Sequence, residues 1–379
     1  QGRRCRYSEV SKGMKKKILH LQLLPLMSGV QRFSLHLLDG LPLDDYEIWV
    51  ACKPGGEFVD EIHKRGWNFI ALPSFRHPVS PWDKVTFLHL LWLIQRHKFD
   101  IVHTNSSKPG LLGRIAATIC RVPLVVHTAH GTAYLPHQTA LVHWSYIQLE
   151  KLANRFCDKV IYVNNCDRLK AIELGVVPPE KALTIYNAMK EEPVANVRES
   201  AADTITIGST LRFSEQKNVL RLIPALCKAA RQSDKLKFII LGDGEHLQLC
   251  RSIVASYRLS DRILLPGWDS DVAPWLKLFD VFILYSRWEA MPFSIIEAMY
   301  AGLPVIGSTI PSIAEFVNDE VGWLLALDDE EALISTLISL PEHPDIIRDK
   351  GKKALAWVKQ ISNYPSMIAA YRDVYEGRR

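Results

Sequence analysis

Half-cystine frameworks, membrane spans and dinucleotide fingerprints are all missing from this sequence, and each absence removes a class of function. The seven cysteines, Cys5, Cys52, Cys120, Cys157, Cys166, Cys227 and Cys250, are scattered, odd in number and nowhere spaced C-x-x-C. That argues against a disulfide frame or a structural zinc site and suits reduced thiols in the cytoplasm. The most apolar window, residues 85–94, is broken by His89 and falls well short of the roughly 20 residues that span a bilayer. No signal peptide is expected. No G-x-G-x-x-G follows the first apolar run, so a nicotinamide domain is not expected. Neither an RNA-binding aromatic signature nor a helix-turn-helix pattern is present, which leaves nucleic acid out of the expected partners.

Acidic residues are scarce in one half only. Residues 1–190 hold 25 Lys and Arg against 15 Asp and Glu, whereas the remainder holds 21 against 26. A basic first half suits an anionic partner, either an acidic membrane surface or a phosphate-bearing acceptor; a diffuse surplus of solvated lysines would give the same count.

The 379 residues are enough for two domains of ordinary size. From Lys15 onward, short apolar runs alternate with amphipathic segments, the cadence of a doubly wound α/β sheet. Strands are expected over 18–23, 47–51, 68–72, 101–103, 124–127, 159–163 and 183–186, with helices over 31–38, 58–65, 84–96, 111–120, 141–156 and 166–174. A second series follows over 204–211, 237–241, 263–265, 281–284, 304–307 and 322–325. The expected domains are therefore 14–187 and 204–362. Residues 1–13 read as a disordered leader or extension remnant, 188–203 as a polar linker, and 363–379 as a terminal helix.

The most informative stretch runs from Leu284 to Gly307. It reads as strand, loop, helix, turn and strand, with Glu289 in the loop at the carboxyl end of a strand and Glu297 in the helix behind it. Between them Phe293 and Ser294 offer backbone N–H groups at a helix N-terminus, a natural seat for phosphate. Two glutamates eight apart recur by chance in helices; their place after a strand and before Gly302, Leu303 and Pro304 sets this pair apart.

This pattern resembles the retaining glycosyltransferases of family 4, which have the GT-B fold: two Rossmann-like domains facing across a cleft, with a C-terminal helix that returns to the first domain. The resemblance covers the chain from Lys15 and is sharpest over 207–307. It implies that Glu289 reaches the donor sugar and Glu297 the ribose hydroxyls of a nucleotide. Where many members have Gly after the first glutamate, Ala290 stands here. Arg212 and Lys217 match the family's basic pair that clamps the diphosphate. Gly242, in Leu241-Gly-Asp-Gly-Glu, matches the turn that lets a base approach the backbone. His130, before Gly131, matches the histidine that contacts the donor sugar, whereas His127 reads as a strand residue. Gly29 matches the loop beneath the donor phosphates.

The implied reaction is metal-independent transfer from a nucleotide-diphosphate sugar, most readily a UDP-sugar, with retention. The implied acceptor is a saccharide, lipid-linked through a diphosphate, in assembly of a bacterial surface polysaccharide. No cofactor is expected, and a metal-binding D-x-D loop is read as absent. The basic first half, with Trp82, Phe87 and Trp92 near an apolar helix, suggests a peripheral seat on the inner face of the cytoplasmic membrane. Two rivals share the nucleotide contacts: a sugar-nucleotide epimerase or hydrolase of the same fold, and a scaffold that binds nucleotide without turnover.

Overall fold

The structure, a computed structural model, describes residues 15–76, 80–135, 138–190 and 204–379. The expected leader, and the expected linker beyond residue 190, lie outside the described residues. The chain divides into two compact units: residues up to Lys190 together with Tyr364–Arg379, and the intervening segment ending at Asn363.

In the first unit the elements alternate as β1 (Lys16–Leu21), α1 (Gly29–Asp39), β2 (Tyr46–Cys52), α2 (Glu57–Lys64), β3 (Asn68–Ala71), α3 (Trp82–His97), β4 (Ile101–Asn105), α4 (Ser107–Ile119), β5 (Leu124–Ala129), α5 (Ala140–Asn154), β6 (Lys159–Tyr162), α6 (Asn165–Glu173) and β7 (Ala182–Thr184). The strands form one parallel sheet in the order β3-β2-β1-β4-β5-β6-β7. A parallel sheet is covered on both faces, so its inner strands are apolar on both, as Val125 and Val126 illustrate.

Strand β4 runs two residues past the expected 101–103. Thr104 pairs with both Leu21 and His127, and Asn105 pairs with Thr128, so neighbours on both sides satisfy a backbone whose side chains read as loop. Helix α4 begins four residues before the expected 111, because Pro109 falls within its first turn, where a missing N–H costs nothing. Helix α3 divides its faces. Thr86, Leu90, Leu93 and Ile94 are buried, while Trp82, Val85, Leu88 and Trp92 are exposed.

The second unit contains β8 (Ile205–Thr210), α7 (Val219–Gln232), β9 (Leu236–Leu241), α8 (Leu247–Ser256), β10 (Ile263–Gly267), α9 (Ala273–Leu276), β11 (Val281–Leu284), α10 (Phe293–Tyr300), β12 (Val305–Ser308), α11 (Pro311–Ala314), β13 (Gly322–Leu325), α12 (Glu330–Ser339) and α13 (Pro344–Ile361). Its parallel order is β10-β9-β8-β11-β12-β13. The order reverses between β8 and β11, which makes the carboxyl ends of those two strands the place where loops diverge and ligands fit. All four residues of β11 are buried, and burial of each such side chain stabilises the sheet by about 1.5–3 kcal/mol.

The last helix, α14 (Tyr364–Tyr375), belongs to the first unit. Tyr364 donates its hydroxyl hydrogen to His36 O (2.8 Å), Lys16 Nζ donates to Tyr375 O (3.4 Å), and Met367, Ile368, Tyr371, Val374 and Tyr375 are buried.

Candidate active site

In the second unit the loops after β8 and β11 are sewn together. The Arg287 N–H donates to Gln216 O (2.8 Å), and Gln216 Nε2 donates back to Trp288 O (2.9 Å). Below them Ser209 Oγ donates to Ile283 O (2.6 Å), tying the strand ends themselves. This frame brings Lys217 Nζ against Glu289 Oε1, with only 14% and 6% of the two side chains exposed. An ion pair so far out of water is costly to assemble unless each charge answers the other. Arg287 and Glu215 form a second pair, at the outer rim.

Arg212, from the same loop as Lys217, is 74% exposed and lies 3.5 Å from Glu245. It presents a planar, five-donor cation to solvent. The turn after β9 is built against this loop. Phe213 N–H donates to Asp243 O, Gly242 N–H to Gly267 O and His246 N–H to Phe213 O. Gly242 has φ +133°, and a Cβ there would meet Leu211 O at 1.7 Å, so no other residue fits. Asp243 Oδ1 accepts from Gly244 N–H (2.8 Å) and closes the turn. Helix α10 starts at Phe293 behind Pro292, which supplies no side-chain cap; Glu297 lies one turn further on and is buried.

The structure thus joins Lys217 to Glu289 and sets Arg212 on the same loop. Gln216, which holds the two loops in register, was not legible as a site residue.

The expected absence of a D-x-D loop is corrected: Asp269 and Asp271 carry that spacing in the loop after β10. Their carboxylates cap local structure. Asp269 accepts from Trp275 Nε1 (2.8 Å) and from Asp271 N–H (3.0 Å), and Asp271 accepts from Ala273 N–H (3.2 Å). The Trp275 bond leads in holding the Asp269 carboxyl below its usual range.

In the first unit Gly29 is the exposed first residue of α1, behind Ser28. His130 follows β5 and is half-buried; its Nε2 lies 3.0 Å from Asn105 Oδ1, and Phe33 meets it edge-on at 4.6 Å. Burial pushes its pKa down to about 3. Asn105 is the hub of a buried polar network. Its Nδ2 lies 3.0 Å from His20 Nε2 and donates to Leu21 O (3.4 Å). His20 stacks edge-on against His103 at 4.9 Å, and His103 reaches Tyr375 Oη (2.6 Å) and Thr128 Oγ1 (2.8 Å). His127 is buried in β5 beside Thr104 Oγ1 (3.0 Å), in keeping with its reading as a strand residue. Burial lowers the pKa of His20 to about 3 and those of His103 and His127 well below the usual value. The signal for this network was available in sequence: three polar residues in succession, His103, Thr104 and Asn105, inside a βαβ cadence.

Comparison with known proteins supplies the context. Residues 203–343 match the model described as glycosyl transferases group 1, and residues 28–188 match a glycosyl transferase 4-like domain. The chain is 35% identical over 380 residues to the Escherichia coli UDP-Gal:alpha-D-GlcNAc-diphosphoundecaprenol alpha-1,3-galactosyltransferase, covering 95% of this chain and 97% of that one. It is 31% identical over 306 residues to the Vi polysaccharide biosynthesis protein VipC/TviE of Salmonella typhi, covering 76% and 52%. Anabaena Alr3699/HepE, solved in complex with UDP and glucose, superposes with a TM-score of 0.80 at 18% identity, covering 96% of this chain and 100% of that one. With both halves matched and a full-length relative at this identity, the chain belongs to the family-4 glycosyltransferases and has the GT-B fold.

Proposed function

We propose that this glycosyltransferase transfers a sugar from a UDP-sugar to a lipid-linked diphosphate saccharide, with retention and without metal, in surface-polysaccharide assembly. The observation that carries the reading is the Lys217–Glu289 pair at the carboxyl ends of β8 and β11, where a parallel sheet of this order receives its ligand. The Escherichia coli relative, by its name, uses UDP-Gal and a diphosphoundecaprenol-linked acceptor, and HepE holds UDP and glucose.

In this reading the bond between the anomeric carbon and the β-phosphate oxygen breaks. The acceptor oxygen bonds to the same face of that carbon, and its proton passes to the departing diphosphate. Arg212, Lys217 and the N–H groups of Phe293 and Ser294 stabilise the leaving charge. Glu289 and His130 orient the sugar, and Glu297 holds the ribose. Gly242 admits the base, and Gly29 passes beneath the phosphates. Incubation with a panel of UDP-sugars and a GlcNAc-diphospho-lipid tests it. An acceptor glycosylated with retained configuration is expected. UDP release that ignores acceptor, an epimerised sugar, or binding without turnover would overturn it.

We further infer a peripheral seat on the acidic inner face of the cytoplasmic membrane. Among the described residues no helix is long and apolar enough to cross a membrane. Support comes from the basic first half, the exposed Trp82, Val85, Leu88 and Trp92 on α3, and the exposed Leu141, Trp144, Leu149 and Leu152 on α5. Phe87, grouped with these tryptophans on sequence, packs instead against the core. Salt-sensitive binding to vesicles containing acidic lipid tests it, and equal partition to neutral vesicles would overturn it.

A further inference from the structure

The Leu21 carbonyl has lone pairs and no hydrogen, so the Asn105 amide atom that faces it at 3.4 Å is the NH2 group. The same NH2 group points its second hydrogen at His20 Nε2, 3.0 Å away, and that nitrogen also faces the Gln22 amide NH2 at 3.4 Å. Ser34 Oγ lies closer still to that nitrogen, at 2.9 Å, so it is the Leu21 carbonyl that fixes which way the Asn105 amide faces. The remaining Asn105 atom, Oδ1, can only accept, and it lies 3.0 Å from His130 Nε2. Asn105 is fully buried, so no water competes for these bonds.

We propose that Asn105 is a positioning residue that locks His130 in the neutral Nε2–H tautomer, leaving an Nδ1 lone pair for a hydroxyl of the donor sugar. Nδ1 has no hydrogen-bond partner among the described residues. An imidazole in this state accepts from a hydroxyl and cannot donate to one, so a donor in which that hydroxyl is removed or methylated is disfavoured. Burial also keeps the ring uncharged at neutral pH. The proposal rests on His130 as a sugar contact, yet its first half is independent of that role.

The test begins with the full-length chain labelled with 15N-histidine, the His130 signals being identified by their loss in His130→Gln. A protonated Nε2 and an unprotonated Nδ1 are expected; an Nδ1–H tautomer overturns the proposal whatever His130 does. Asn105→Leu should lose the tautomer and raise donor KM about tenfold, the effect of one lost hydrogen bond of about 1.4 kcal/mol. UDP affinity should stay unchanged. In a series of deoxy donors, the one that lacks the paired hydroxyl should lose as much with the wild type as Asn105→Leu loses with the full sugar, and nothing further with that variant. Additive losses overturn the proposal. Unchanged kinetics in His130→Gln, with the Nε2–H tautomer intact, would instead refute the sugar-contact reading.

Discussion

Lys217 and Glu289 lie 72 residues apart and meet as an ion pair nearly out of water, each held on its own loop by the Gln216–Trp288 stitch. Removing either partner leaves a lone charge in that setting, at a cost of about 3 kcal/mol to the second unit. Replacing both by leucine and methionine should return most of that loss, because neither charge is then stranded. Denaturant unfolding of the two single variants and the double reads this directly. Single losses that simply add would show the two side chains to be independent.

Arg212 is exposed and contributes little to folding, so Arg212→Ala should leave unfolding within about 0.5 kcal/mol of wild type. Turnover at saturating donor should fall about 100- to 1000-fold, the range for losing one electrostatic donor to developing charge. Near-normal turnover would put the diphosphate clamp elsewhere. Activity should also survive a strong chelator; its loss would make Asp269 and Asp271 the first residues to test.

Glu297 is buried on α10, and Glu297→Ala should weaken binding of free UDP by about 1.5–3 kcal/mol, roughly ten- to more than a hundredfold. Calorimetric titration gives the value. An unchanged Kd would remove Glu297 from the ribose.

Acid should destabilise the first unit before the second. His20 and His130 have pKa values near 3 in the fold against 6.5 in the unfolded chain, and burial likewise depresses His103 and His127. Between those limits the unfolded chain binds more protons than the folded one. The stabilisation is therefore complete above about pH 6.5 and is lost as pH falls toward 3, with a slope of up to about 1.4 kcal/mol per pH unit for each histidine. Denaturant midpoints from pH 8 to pH 4 should follow this slope, and His127→Gln should flatten it.

Vesicle binding should depend on the exposed tryptophans. A Trp92→Ser and Trp144→Ser double variant should bind acidic vesicles several-fold more weakly with little change in unfolding, since both rings are more than half exposed. Unaltered binding would leave charge alone as the attachment.

The cadence of apolar runs, read from one strand to the next, was enough for two parallel α/β units, because buried parallel strands need apolar side chains on both faces and leave an unmistakable alternation. The motifs at strand ends were legible for the same reason: Glu289, Arg212, Lys217 and Gly242 sit where apolar runs stop, and a stop is visible in one dimension. What one dimension could not contain was which of these side chains touch. Lys217 reaches Glu289 only because β8 and β11 are neighbours in the sheet, a consequence of strand order that no local pattern encodes. Asn105 read as loop because it is polar. Tertiary packing made it the end of a strand, buried it, and surrounded it with His20, Leu21 and His130, so that hydrogen-bond geometry supplied what composition could not.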